Sequence, residues 1–316
     1  MRVRHLLIIM MLLTWPLPTW AQEADAEHYF FISHAGVTDP FWRVPFKGAA
    51  DAAAMQGVKL TILAPERVND HVRQMELFES ALGQQPAGVA ITVSDRHDFS
   101  RLLKQARKQG VPVIAVNTRP ADDDRARNPY LAYVGMDDHA AGRAMAKRML
   151  ERGKLHGRVV VVTQQAGHAG LESRFAGISE VLGGSGCIVE RLNLAMGEQT
   201  LDEQFAAYWR MRPDLAAVIS LGPEATHPIG RVIKQRGAPL YFASFDLSPF
   251  TAALIRDGLL DFTVDQQPYM QGRFAVELLV LAHRYKLSPP DINTGIGIID
   301  NTNLGAVENL SKQHIR

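Results

Sequence analysis

The sequence predicts an α/β protein made of two doubly wound parallel-sheet domains. Ten short β-branched runs recur along the chain, with helical stretches between them. Several runs, such as VVVV at 159–162, VAITV at 89–93 and PVIAV at 112–116, are apolar almost throughout. Strands covered on both faces read that way, and such strands belong to parallel sheets. Ten strand–helix units in about 290 residues are too many for one open sheet of usual size. Two doubly wound domains are the simplest solution, and a (β/α)8 barrel is the competing arrangement.

The first segment, Met1–Ala21, stands outside this pattern. Arg2 and Arg4 form a basic start, and Leu6–Trp15 is an apolar run of about ten residues, too short to span a bilayer as a helix. Pro16 and Pro18 break the run, and Thr19-Trp20-Ala21 places small residues two apart before Gln22. This reads as a secretory signal peptide cleaved after Ala21. No cysteine lies near the cut, which argues against a lipid anchor.

The strands are read at Tyr29–Ser33, Val58–Leu63, Gly88–Val93, Pro112–Asn117, Leu131–Val134, Arg158–Thr163, Ile188–Leu192, Ala216–Leu221, Pro239–Phe245 and Phe262–Val264. Helical spacing fills the intervals. Val72, Met75, Phe78 and Leu82 fall at steps of three and four within Asn69–Leu82. Ala141, Ala144, Met145 and Met149 do the same within Asp137–Leu150, where Asp137 or Asp138 can cap the amino end. Lys147, Arg148 and Arg152 suit the dipole at its carboxyl end. There is no internal repeat and no low-complexity linker, so several short crossings between domains are expected.

Composition bounds the function. With 316 residues, 47% hydrophobic and 21% charged, the chain is neither disordered, collagenous nor a multi-span membrane protein. The formal charge of +1 becomes −1 once Arg2 and Arg4 are removed, which lacks the electrostatic footprint of a nucleic-acid binder. The single cysteine, Cys187, excludes an intramolecular disulfide framework and a cysteine metal cluster, and reads as a buried small hydrophobe.

Enzyme chemistry finds no support. No Gly-x-Gly-x-x-Gly follows the first strand, and neither a Walker loop nor His-Glu-x-x-His occurs. Gly183-Gly184-Ser185-Gly186 follows a helix and cannot be a nucleophile elbow. His34, His139, His168 and His227 flank strands without ligand spacing and read as solvated loop residues. No catalytic residue, metal or cofactor is assigned.

Ligands of doubly wound sheets bind at the carboxyl ends of strands. There the chain carries Asp39-Pro40-Phe41-Trp42, then Asn117-Thr118-Arg119, then Gln164-Gln165 through Arg174. Ser244-Phe245-Asp246 and Asp265-Gln266-Gln267-Pro268 follow. Adjacent aromatics cannot share one helix face, so one of Phe41 and Trp42 is expected to face the core and the other a cleft. An aromatic face stacks on the C–H face of a sugar ring. Asn, Arg, Asp and Gln together can hydrogen-bond vicinal hydroxyls without a reaction.

At these residues the sequence resembles the type I periplasmic sugar-binding proteins, the ribose-binding-like family of ABC-transporter receptors. The carriers are Asp39–Trp42 with Lys47-Gly48-Ala49, Pro112–Asn117, Val134–Asp137 with Ala141-Gly142-Arg143, and Glu172–Gly177. Phe245-Asp246 and Gln266-Gln267-Pro268 complete the order, so the likeness runs from about Tyr29 to Asn303. The resemblance implies two lobes joined by three crossing strands that close on the ligand like a hinged trap. Lobe I would be 27–135 plus 267–295, lobe II 137–265 plus 296–303, and 304–316 a C-terminal tail. Crossings would lie near 135–137, 265–267 and 296–299. Carried over, Asp39, Phe41, Trp42 and Asn117 would bind from lobe I, Arg174 and Asp246 from lobe II, and Gln266 from a crossing. Members often have Asp-Arg where this chain has Asn117-Thr118, and Asn-Asp where it has Gly222-Pro223. Losing that pair removes a charged clamp, so ribose itself is disfavoured, and Arg119, Glu224 or His227 are candidates for other contacts. Tyr208 and Trp209 lie on an amphipathic helix and read as packing residues.

The implied function is a monomeric periplasmic receptor that delivers a sugar or polyol to an ABC permease. The alternative is a receptor presenting a sugar or autoinducer to a membrane sensor kinase or chemoreceptor. A sugar-responsive repressor would need an amino-terminal helix-turn-helix where the signal peptide stands.

Overall fold

The computed structural model describes residues 27–36, 39–93, 96–120, 124–151, 155–195, 199–238 and 240–316, with the side chains of 96–98 left out. The signal peptide read at Met1–Ala21 lies outside the described residues.

Among the described residues, twelve strands form two six-stranded sheets. The first holds β1 (His28–Ile32), β2 (Lys59–Leu63), β3 (Gly88–Ile91), β4 (Val113–Val116), β5 (Ala132–Gly135) and β11 (Ile292–Asn293), ordered β11-β5-β4-β3-β1-β2. The second holds β6 (Arg158–Thr163), β7 (Ile188–Asn193), β8 (Leu215–Ser220), β9 (Tyr241–Phe245), β10 (Phe262–Asp265) and β12 (Gly297–Asp300), ordered β12-β10-β9-β8-β6-β7. All pairings are parallel except β10 with β12. Ten of these strands fall on the ten β-runs of the sequence, and the barrel is ruled out. The two extra strands, β11 and β12, are only two and four residues long.

The apolar runs fill four clusters, one on each face of each sheet. In lobe I, α1 (Arg43–Gln56) and α9 (Pro268–Tyr285) cover one face around Phe31, Trp42 and Leu279. On the other face α2 (His71–Gly83) and α3 (Arg96–Lys108) pack around Phe30, Phe78 and Leu102. In lobe II, α4 (Asp138–Glu151) and α5 (Ala169–Gly183) cover Val159, Val161 and Phe245. Opposite them lie α6 (Leu201–Arg210), α7 (Pro223–Arg236), α8 (Pro249–Arg256) and α10 (Leu304–Lys312). The segment 304–316, expected as a tail, therefore carries a packed helix. Leu304 and Val307 sit one turn apart and enter the lobe II core.

One detail of the helices differs from the sequence reading, and a second decides between two caps that it left open. Val72 is 65% exposed, because the buried stripe of α2 runs through Gln74, Phe78, Ala81 and Leu82, on the opposite side. At α4 the cap is Asp137, whose Oδ1 accepts from Ala140 N at 2.9 Å, while Asp138 turns to Arg174. Cys187 is buried and free, with its thiol donating to Leu155 O at 3.5 Å.

The chain passes between the sheets at Met136–Asp137, Gln266–Gln267 and Thr294–Ile296. The third passage ends before 298–299, which pair with β10 instead.

Each lobe contains one reciprocal glycine crossing. A Cβ on Gly48 of α1 would stand 2.1 Å from Tyr269 O, and one on Gly272 of α9 would stand 1.8 Å from Pro45 O. In lobe II, a Cβ on Gly142 of α4 would meet Arg174 O at 2.2 Å, and one on Gly177 of α5 would meet His139 O at 2.2 Å. No side chain can yield there, because the obstacle is backbone. Gly48→Ala and Gly142→Ala are each expected to destabilise the fold by at least about 2 kcal/mol, read by urea unfolding. Only Gly142→Ala should also displace Arg174 and weaken ligand binding; equal binding by both variants would break this link.

Candidate functional site

The loops after β1, β4, β6, β8, β9 and β10 meet between the lobes. They line a narrow polar cavity of about 50 Å³ between the lobes. All seven residues singled out in the sequence line it: Asp39, Phe41, Trp42, Asn117, Arg174, Asp246 and Gln266. Gln164, Gln165, His34 and His168 line it as well. A larger hollow bordered by Pro112, Tyr130 and Lys286 lies at the amino ends of β4 and β5, away from these groups.

From lobe I, Asp39 caps the short 3-10 turn Pro40–Trp42, and its Oδ1 accepts from Phe41 N at 3.0 Å. Pro40 suits this start because its missing N–H would have no partner there. The two aromatics divide as expected. Trp42 is 1% exposed and packs edge-on against Phe31 and His34. Phe41 is half-buried, stands edge-to-face on Trp42 at 5.2 Å, and lines the cavity.

From lobe II, Arg174 rises out of the second turn of α5. Its Nε donates to Asp138 Oδ1 at 2.8 Å and its Nη1 to Leu221 O at 2.8 Å. The guanidinium lies 4.6 Å from the Phe245 ring centroid. Nη2 makes no hydrogen bond among the described residues and is the donor left for a ligand. Asp246 follows β9 with φ 73°, a left-handed conformation that Asp tolerates better than most side chains. Asn117 follows β4 in the same conformation, with φ 62°. Gln266 joins them: its Nε2 donates to Asp246 Oδ1 at 2.7 Å, and its Oε1 accepts from Asn117 Nδ2 at 3.1 Å.

Among the described residues, no cation lies within bonding distance of the two cavity carboxylates. Burial, reinforced by the charges of Glu224 and Asp246, pushes the Asp39 carboxyl up to about 7. Burial pushes Asp246 up to about 6, against the opposing pull of Arg174 and the Gln266 hydrogen bond. Burial also raises Asp138, although Arg174 pairs with it.

His34 and His168 correct the reading of these histidines as solvated. Their ring centroids are 5.1 Å apart across the cleft, and His34 is only 4% exposed. Burial lowers His168 to about 4 and His34 well below its ordinary value, so both are neutral near pH 7. His168 caps α5, its Nδ1 accepting from Leu171 N at 3.4 Å. No sequence spacing marked this role, because the two histidines meet only through the fold. The lobes also touch at Asn69 Nδ2 to Gln165 Oε1, 3.2 Å, and between Thr118 Oγ1 and His168 Nε2, 3.4 Å.

Of the other candidates, Arg119 pairs with Asp291 at 3.6 Å and His227 contacts Ser248 and Phe250, both away from the cavity. Glu224 lies at its margin, where Gln165 Nε2 approaches it at 3.5 Å. Trp209 is buried in the lobe II core and Tyr208 donates to Glu190, as packing residues do. No group of three His, Cys, Asp or Glu among the described residues could hold a metal, and no described helix is long and apolar enough to cross a membrane.

Two lobes, three crossings and a polar cavity with one stacking ring between them define a small-molecule binding protein. The chain belongs to the periplasmic binding protein domain family, which matches residues 30–286, and within it to the ribose-binding-like sugar-binding proteins. The resemblance read from the sequence is borne out. The chain is 29% identical over 304 residues to the xylose/arabinose-binding protein XylF of Sulfolobus acidocaldarius, covering 91% of this chain and 72% of that one. It is 35% identical to the crystal structure of a periplasmic sugar-binding protein of an ABC sugar transporter from Legionella pneumophila, with a TM-score of 0.81. That likeness covers 85% of this chain and 99% of the other. A carbohydrate transporter protein from Acidothermus cellulolyticus, solved with myo-inositol, is 28% identical with a TM-score of 0.82. It covers 92% of this chain and 100% of its own. The family is one of binding proteins.

The raised pKa of a buried carboxyl has a measurable consequence in the ligand-free protein. A carboxyl raised in the folded state favours the protonated form, so its stabilising contribution is present at acid pH and is lost as pH rises through the folded value. Asp39 therefore lowers stability as pH climbs through about 7. Asp39→Asn is expected to flatten the decline in urea stability between about pH 5 and about pH 8. Parallel profiles for the two proteins would assign Asp39 an ordinary acidity.

Proposed function

We propose that this chain is a periplasmic receptor that closes on a sugar or sugar-like polyol and delivers it to an ABC permease. The observation that carries this reading is the meeting of Asp39 and Phe41 from one lobe with Arg174 and Asp246 from the other around one cavity. Two carboxylates accept from ligand hydroxyls, and Arg174 Nη2 donates to a ring or hydroxyl oxygen. Phe41 offers a face to ring C–H groups. Both N–H groups of Asn117 and one of the two on Gln266 are used inside the protein, so the two carboxylates dominate the polar groups that face the cavity. Such a site fits a donor-rich, uncharged polyol and repels sugar acids and sugar phosphates. The names of the relatives point to the same ligand class. Ligand bound between the lobes shifts them toward closure by its contacts with both. Met1–Ala21 is the export signal in this reading, and the mature protein works as a monomer that docks its closed form on the permease.

A thermal-shift screen of pentoses, hexoses and inositols tests the ligand class. A true ligand at hundredfold excess over its Kd stabilises by about 2.7 kcal/mol. If no neutral polyol raises the melting temperature, the class is wrong. Asp246→Ala and Arg174→Ala are each expected to cost about 2–5 kcal/mol of binding in calorimetry, since each leaves buried polar groups unpaired. Unchanged affinity in both would remove these residues from the site.

Hydroxyl donation favours the ionised carboxylates, so binding expels protons from Asp39 and Asp246. Affinity is expected to rise with pH through about 6 and about 7 and then level off. Calorimetry in buffers of differing ionisation enthalpy would show proton release near pH 6, and no release would contradict direct contact with these carboxylates.

A further inference from the structure

Gln271 lies in the first turns of α9, outside the cavity, and is fully buried. A buried glutamine must be satisfied at both ends of its amide. Its Oε1 accepts from Asn117 Nδ2 at 3.0 Å. Its Nε2 donates to Gln266 Oε1 at 3.0 Å and approaches Gln266 O and Thr294 Oγ1 at 3.3 Å. Thr294 Oγ1 donates to Gln266 O at 2.8 Å.

These bonds give the network one direction. Asn117 Oδ1 accepts from Thr118 Oγ1 at 3.1 Å, so its Nδ2 faces the two glutamines. Gln266 Oε1 thus receives two donors, one from Asn117 and one from Gln271. Its Nε2 is then left to face Asp246. A flipped Gln266 amide would set N–H groups against N–H groups and a carbonyl against a carboxylate.

We propose that Gln271 is a positioning residue for ligand binding: its amide fixes the orientation of Gln266 so that Gln266 offers N–H to Asp246 and a carbonyl to Asn117. The inference rests on the reading of the cavity as a polyol site. Asp246 faces Gln266 at the crossing, Arg174 of α5, Asp138 of α4, Asp265 of β10 and Asp39 of the lobe I turn. Among these, Gln266 is the neighbour whose polarity Gln271 controls. With Gln271 intact, one Asp246 oxygen is held and the other is free for a ligand hydroxyl. Without it, Gln266 Oε1 keeps only the Asn117 donor, so its amide is held less firmly and presents its N–H to the carboxylate less of the time.

The test uses Gln271→Met, which keeps length and removes both amide ends, and Gln271→Glu, which keeps the acceptor and removes the donor. Both are compared with wild type using the best polyol from the thermal-shift screen. Each variant is expected to weaken binding at least about tenfold, the loss of one hydrogen bond to a charged group. The lower of the two pH steps in affinity, that of Asp246, should also move up, because Asp246 becomes harder to ionise. A merely structural role would lower the melting temperature and leave that pH unchanged. Gln271→Met combined with Asp246→Asn should show no further pH shift over Asp246→Asn alone. An unmoved pH profile in a folded Gln271→Met protein overturns the proposal. A wild-type protein that binds no polyol refutes the functional reading instead, so the two failures are distinguishable.

Discussion

The arrangement depends on how three chain crossings are tied to each other. Tyr133 Oη donates to Asn117 O at 2.8 Å and lies 3.2 Å from Met136 O, linking the first crossing to the end of β4. Gln266 occupies the second crossing, and Thr294 in the third donates to its carbonyl. Gln267 Nε2 donates to Thr294 O at 2.6 Å and closes the set. These groups are buried, so a broken bond leaves a polar atom without water or partner, at a cost of about 1–3 kcal/mol. The crossings therefore act as one hinge, and the residues on its surface face the ligand. Asn117 and Asp246 reach that surface through left-handed backbone at the ends of β4 and β9.

The framework was legible because its signals are local. A strand buried on both faces is apolar almost throughout, and several of the ten runs met that condition, while the edge strands β2 and β7 carry polar residues and are partly exposed. The site was legible because doubly wound sheets expose polar residues only where strands end, so Asp39, Asn117, Asp246 and Gln266 stood out against apolar runs. What was hidden depends on distant pairing. β11 has two residues, too few for a period, and β12 is antiparallel with only half its length buried. His34 and His168 are 134 positions apart in sequence, and their burial arises when the lobes meet. Gln271 looks like any polar residue early in a helix, because the amide it steers reaches it only through the turn at the crossing.

Electrostatics separates the empty protein from the filled one. Arg174 is paired with Asp138, and its charge only partly offsets the burial of Asp246. Burial in the cavity makes Asp39 and Asp246 favour protonation. A ligand that donates hydroxyl protons to them relieves part of the desolvation. In the proposed reading the same arrangement favours a polyol over an anion, without any steric gate.

The contacts between the lobes at the rim of the cleft bear on kinetics. Asn69 to Gln165 and Thr118 to His168 are neutral hydrogen bonds at 3.2 and 3.4 Å, near the long limit, where each contributes under about 1 kcal/mol. Two such bonds do not latch a trap. The dwell time of a captured molecule is then governed by its own hydroxyls and by the hinge, so the off-rate reports on the identity of the cargo. A poor fit escapes quickly, and discrimination among similar solutes is exercised in time as well as in affinity.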